Sequence, residues 1–344
     1  MRELKGKGKT FIELYSFFVI LYHFIYASGL LSWLGITIGG IHPAISVGLI
    51  LSILYLLFPY SKKTQQTGIP WYDWILAILC LIPTGYYALN YEMLLYSALT
   101  PTDFEVVLGV VMIILHIEGV RRAIGLPLVI CGLIFVIYPL VANSLPGILF
   151  AAPVKFRRLI GYIYLGSQGF FSAGAQVFST TIITFVIFGQ LIAISGGGDF
   201  FLNLSLSAMG GRNGGPAKAA TIGSGLFGMI SGVAVANVVT TGSITIPMMK
   251  RKGYSPEFAG AVETVASTGG ALMPPVMGAL AFIMADYMGV PYWQIASAAI
   301  IPAVLYYVAV YLQVSFYSSR HRLGGLSTEE IPAIKKVLAE GASR

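Results

Sequence analysis

The sequence predicts an all-α polytopic membrane protein, and three observations carry the prediction. Of its 344 residues, 56% are hydrophobic and only 10% charged, with a mean hydropathy of +0.81, well beyond an ordinary soluble domain. The apolar residues fall into runs long enough to enter a bilayer, separated by short clusters of Lys and Arg. Glycines and prolines interrupt two of those runs near their middles. The formal charge of +7 sits in the inter-helix clusters. That placement reads as topology and attraction to anionic membrane lipid, with no nucleic acid as partner. The expected architecture is about seven to eight transmembrane helices plus a re-entrant helical hairpin and a broken helix.

Taken in order, the first five spans are Phe11 to Trp33, His42 to Tyr60, Trp71 to Leu89, Phe104 to His116 with its extension, and Gly125 to Val141. Arg2, Lys5, Lys7 and Lys9 place the N-terminus in the cytoplasm, and Lys62, Lys63, Arg121 and Arg122 follow on alternate loops. The loop Asn90 to Glu105 has acids and no Lys or Arg, so it belongs outside. Lys155, Arg157 and Arg158 break the alternation, and an amphipathic surface segment is expected there. Glu13, Asp73, His116 and Glu118 lie near span ends, where they can snorkel or meet headgroups. His23 lies deeper and reads as a neutral histidine bonded to a neighbouring helix. Cys80 and Cys131 read as small buried hydrophobes, forming neither disulfide nor metal site.

Phe170 to Ser195 forms a further span, and Gly196 to Gly215 reads as a short surface helix carrying Phe200, Phe201, Leu204 and Met209. Between Lys218 and Lys250 there is no charged residue, yet both flanks are basic. Both ends then belong on the cytoplasmic side, which makes residues 216–250 a hairpin that dips in and returns. Its first half, Pro216 to Ile230, would rise only roughly 22 Å as a helix, short of roughly 30 Å of hydrocarbon. Asn237 to Met249 supplies the second half. Ser255-Pro256-Glu257 then reads as an N-cap, a first-turn proline and an acid at the positive helix end. That helix breaks at Gly269-Gly270 and Met273-Pro274-Pro275, where ring nitrogens have no hydrogen to donate. Ile295 to Tyr317 spans again, and the polar tail opens with a helix-start pattern at Ser327-Thr328-Glu329-Glu330. Both termini are expected in the cytoplasm.

Residues 223–263 (GSGLFGMISGVAVANVVTTGSITIPMMKRKGYSPEFAGAVE) and 266–286 (ASTGGALMPPVMGALAFIMAD) closely resemble TRAP transporters. More narrowly, they resemble the fused permease subunits that work with TAXI-type periplasmic binding proteins. The resemblance covers roughly residues 155 to 335. It implies residues 1–124 as a small-subunit-like scaffold bundle and 125–169 as a linking helix and surface segment. Residues 170–325 would be the first half of the large permease subunit, with its hairpin and a broken helix over 256–288, and 326–344 a cytoplasmic tail. It further implies an elevator mechanism in a bacterial or archaeal inner membrane, a TAXI-type binding protein as partner, and sodium as coupling ion with no organic cofactor.

Transferred residue by residue, the implied sodium set is Ser231, Gly232, Asn237, Gly269, Gly270, Met273 and Pro274. The implied substrate set is Ala236, Thr240, Thr241, Ser243 and Thr268. The chemistry agrees, because sodium wants oxygen ligands and unwound carbonyls supply them. The same small and hydroxyl residues also mediate tight helix packing, which is the competing explanation. Val233 stands where relatives carry a small polar residue. Relatives also continue beyond Ile331-Pro332 into an inverted second half. The expectation is therefore a complementary permease polypeptide as a further partner, or a truncated or incomplete product that does not transport alone. The alternative function is a non-transporting scaffold or assembly protein derived from such a permease. No nucleophile–base set, metal-spaced cluster or Walker-type loop is visible, so no enzyme is expected. Glu263 reads as a structural partner of a nearby helix end.

Overall fold

The computed structural model describes residues 2, 4, 6–34, 38, 40–61, 68–97 and 100–342. Lys5, Lys62 and Lys63, used above for topology, lie outside them. Among the described residues there is no strand. Five helices are long and apolar enough to cross a membrane: Gly8–Ala27, Trp71–Leu89, Leu126–Ser144, Ala173–Ile194 and Tyr292–Arg320. The chain folds as two compact units that divide between Thr180 and Thr181.

In the first unit, α1 (Lys7–Ala27), α2 (His42–Leu57), α3 (Trp71–Leu89), α4 (Asp103–Ala123), α5 (Leu126–Val141) and α6 (Phe156–Tyr164) form the bundle. Thr102 and Glu105 cap α4 reciprocally, so Asp103 and Glu105 open a helix where the sequence reading ended a loop. Buried tyrosines stitch the helices together: Tyr55 donates to the Leu115 carbonyl at 2.5 Å and Tyr164 to that of Pro83 at 2.7 Å. The amphipathic segment around Arg157 is α6, which buries Leu159, Ile160 and Tyr164.

Three polar expectations fall out differently. His23 is buried as a bonded histidine, with Nε2 3.0 Å from the Ser46 hydroxyl. Asp73 neither snorkels nor meets headgroups. It is fully buried and bridged by Arg122 at 2.6 Å and by Arg2, while Arg122 also holds Glu118 at 2.7 Å. The helix after Pro70 turns Asp73 inward, where an unpaired carboxylate would be costly, and the N-terminal arm supplies a cation. Cys80 is buried as expected, but Cys131 lies on the exposed face of α5, whose apolar residues point away from the bundle.

The second unit contains α7 (Ile183–Ile194), α8 (Gly197–Met209), α9 (Gly215–Ser231), α10 (Ala234–Arg251), α11 (Pro256–Gly269), α12 (Ala279–Met288), α13 (Tyr292–Arg320) and α14 (Ile334–Ala342). Its centre is α9, in which Ala217, Ala219, Ala220, Gly223, Ser224, Gly225 and Gly228 are all buried. Small side chains let α8, α10, α11 and α13 pack around one short helix. The surface helix expected over 196–215 is α8, but it buries Leu202 and Leu206 against Ala219, Met248 and Leu326. Its opposite face is the more exposed one. It braces the hairpin and meets the tail, where the Ser207 hydroxyl donates to the Pro332 carbonyl at 2.7 Å.

Candidate functional site

Two helix pairs build the site. α9 and α10 run antiparallel, as the contacts of Ser224 with Thr241 and of Ala219 with Met248 require. At 17 and 18 residues they rise roughly 26 and 27 Å, each short of a bilayer's hydrocarbon. They are joined by Gly232, at φ 59°, and extended Val233. α11 begins as the sequence indicates: the Ser255 hydroxyl accepts from the Phe258 amide at 3.2 Å, with Pro256 and Glu257 in the first turn. It ends at Gly269, and the chain stays non-helical until Ala279.

The tip and the break lie against each other. The Val276 amide donates to the Met229 carbonyl at 3.1 Å. A Cβ on Gly232 would come within 2.0 Å of the Met277 carbonyl oxygen, so only glycine fits both the left-handed turn and the approach. A Cβ on Gly228 would fall 2.5 Å from the Gly270 Cα. Met277 itself is held at φ 61°, a left-handed conformation costing a side-chain-bearing residue roughly 1–2 kcal/mol. The carboxyl ends of α9 and α11 and the amino ends of α10 and α12 therefore arrive at one place. The first two present spare carbonyls and partial negative charge, the others spare amides and partial positive charge.

Beside this meeting point is a group the sequence reading set aside. Glu263, on α11, is completely buried. Its Oε1 accepts from Ser224 at 2.8 Å, Thr241 at 2.5 Å and Ser267 at 3.1 Å, and its Oε2 from Thr245 at 2.5 Å. Gly242 permits the close approach of α10: a Cβ there would sit 3.0 Å from Glu263 Cγ. Among the described residues no Lys, Arg or His pairs with this carboxylate. The buried ammonium of Lys218 lies instead over the Tyr311 ring, 5.1 Å from its centroid. Asn237 lies beside the network, with its Oδ1 3.2 Å from the Thr241 hydroxyl oxygen and its Nδ2 donating to the Ser224 carbonyl at 2.7 Å.

On the other side of the tip, Ser231, Ala236 and Thr240 line a cavity of about 380 Å³ with Val186, Gln190 and Val239. The Ser231 hydroxyl is buried and makes no hydrogen bond. The remaining expected residues divide. Asn237 and Thr241 are buried on the Glu263 side. Gly232, Gly269, Gly270, Met273 and Pro274 form the tip and break backbone. Ser243 and Thr268 are not brought in: their exposed hydroxyls bond back to Thr240 and Thr264 in their own helices. The donors that do converge are all oxygens, a set suited to a hard cation. The sequence expectations do not include Ser224, Thr245 or Ser267, and they give Glu263 only as a structural partner of a helix end. The available signal was a lone acid facing a glycine, with hydroxyls spaced four apart at 241 and 245.

Residues 110–344 match the family described as tripartite ATP-independent periplasmic transporter, DctM component. The chain belongs to that family. It is therefore a multi-pass membrane protein of transporter type and not an enzyme. Among its relatives, the C4-dicarboxylate TRAP transporter large permease protein DctM of Vibrio cholerae is 34% identical over 110 residues, covering 32% of this chain and 24% of that one. The isethionate TRAP transporter permease protein DctMQ of Oleidesulfovibrio alaskensis is 31% identical over 160 residues, covering 46% and 22%. The DctM protein of Pseudomonas aeruginosa is 29% identical over 121 residues, covering 35% and 28%. The matched stretches span between 21% and 39% of the curated relatives' own length.

Proposed function

We propose that this chain forms part of the membrane permease of a sodium-coupled, periplasmic-binding-protein-dependent transporter that imports a small organic anion or amino acid across the inner membrane. The observation that carries the reading is the meeting of tip and break beside a buried acid that has no cation partner. Helix carboxyl ends and the oxygens of Asn237 and Ser231 suit sodium, and the amino ends of α10 and α12 suit an anion. The relatives' printed names, for C4-dicarboxylates and isethionate, fall in the same substrate class. In this reading α9 and α10 enter and leave the bilayer on the cytoplasmic side, and the unit moves as an elevator against a scaffold. Its partners are a TAXI-type binding protein and the rest of the permease. One sodium ion moving inward gains about 2.3 kcal/mol per 100 mV and about 1.4 kcal/mol per tenfold gradient, enough to drive accumulation of several hundredfold.

The test is thermal unfolding of the purified chain in sodium and in potassium chloride at equal ionic strength. Sodium raises the melting temperature of the wild type and fails to raise that of Asn237→Ala. Equal melting in both salts for the wild type would leave the scaffold alternative in its place.

A further inference from the structure

We infer that Glu263 is the charge source of the cation site: a buried carboxylate that a sodium ion at the hairpin tip neutralises through Thr241 and Asn237. The inference rests on the sodium reading above and adds to it the residue that makes the pocket anionic. Glu263 is fully buried, and four hydroxyls from three helices each direct a hydrogen toward its two oxygens. Four donors solvate a negative charge, but none of them cancels it. The groups facing it complete the picture. α13 offers Tyr307, whose hydroxyl donates to the Ala266 carbonyl at 2.8 Å, and α9 offers Ser224, while the Lys218 ammonium of α9 lies over the Tyr311 ring. α10 offers Thr241, Thr245 and the closely packed Gly242, none of them charged.

An uncompensated buried charge costs folding stability, and a cation nearby recovers it. Thr241 gives its one hydrogen to Glu263 Oε1, at 2.5 Å, and its oxygen lies 3.2 Å from Asn237 Oδ1, so the charge sits close to a side chain expected to ligate the ion. A sodium ion at Asn237 then lies near enough to the carboxylate to feel its charge among buried groups. Glu263 is thus a positioning and field-setting residue, with Oε1 accepting from three hydroxyls and Oε2 from Thr245.

The experiment compares the full-length wild type, Glu263→Gln and Ser267→Ala by thermal unfolding across a sodium titration against constant ionic strength. Glu263→Gln keeps the shape and removes the charge. It is expected to melt no lower than wild type in potassium, while its apparent sodium affinity falls by on the order of tenfold or more. A residue with a purely structural role would lower stability in both salts and leave the sodium affinity alone. Ser267→Ala keeps the charge and removes one hydroxyl. It is expected to melt lower in potassium yet show a larger sodium-dependent rise, and it decides the matter if Glu263→Gln does not fold. A sodium response in the wild type with unaltered affinity in the folded variants overturns this inference alone. No sodium response in the wild type overturns the sodium reading and this inference with it.

Discussion

The two units each bury a carboxylate completely, and they treat it in opposite ways. Asp73 in the first unit is held between two guanidinium groups, Arg2 and Arg122, and Arg122 reaches on to Glu118. Arg122 also donates to the Phe58 carbonyl at 3.2 Å, and Arg2 to that of Leu56 at 3.0 Å, so the cluster ties the N-terminal arm, α2, α3 and α4 together. Glu263 in the second unit has four hydroxyls and, among the described residues, no cation. A paired buried charge is finished: its partners are part of the fold, and nothing need arrive to complete it. An unpaired one keeps its desolvation cost until a proton or a cation offsets it. Both are acids at zero exposure, and what distinguishes them is a shell of guanidinium groups around one and of hydroxyls around the other.

The comparison breaks most visibly at Asp73. Asp73→Ala leaves two buried guanidinium groups facing each other and should cost about 3–5 kcal/mol, read as a loss of melting temperature identical in sodium and potassium. A sodium-dependent loss there would mean that the first unit also binds the ion. Gly232→Ala comes next. The added methyl meets the Met277 carbonyl and sits at a left-handed φ, so a loss of about 2 kcal/mol or more is expected. Because the tip must withdraw from the break, the sodium-dependent rise in melting should disappear as well. Retention of that rise would detach the cation site from the tip.

The smallest effect lies at the exposed tail, where charge is paired but solvated. The Lys252 ammonium, 2.6 Å away, together with the Ser327 amide and hydroxyl, holds the Glu330 carboxyl at about 2, below its ordinary range. A lowered value means the contribution is complete above the ordinary carboxylate range and is lost as the pH falls toward 2. Glu330→Gln should therefore differ from wild type only slightly near neutrality, and the difference should vanish in acid. Amide exchange at residues 327–331 reads it. A difference that grows on acidification would contradict the pairing.

Much of this was legible in the chain. Ser255-Pro256-Glu257 announces the start of α11, Gly269-Gly270 and Pro274-Pro275 announce its break, and the uncharged run between two basic flanks announces a hairpin. These signals are local, because capping, missing amide hydrogens and hydropathy act within a few residues. The role of Asp73 was not legible, since its partners stand 71 and 49 positions away. Glu263 was set aside for the same reason. Its cage draws Ser224 and Thr245 from two other helices, and only antiparallel packing of α9, α10 and α11 brings them to it. Ser243 and Thr268 are expected in the site from the family resemblance and from their depth along the chain. Helical phase turns both outward, and hydroxyl chemistry cannot reveal that.

The most direct measurement is equilibrium binding of radiolabelled sodium to the purified chain, for wild type and Asp73→Asn beside Glu263→Gln and Asn237→Ala. The account predicts saturable binding that potassium does not displace, kept in Asp73→Asn wherever that variant folds and weakened or lost in the other two. Saturable binding that survives in both Glu263→Gln and Asn237→Ala, or none in the wild type, would contradict it.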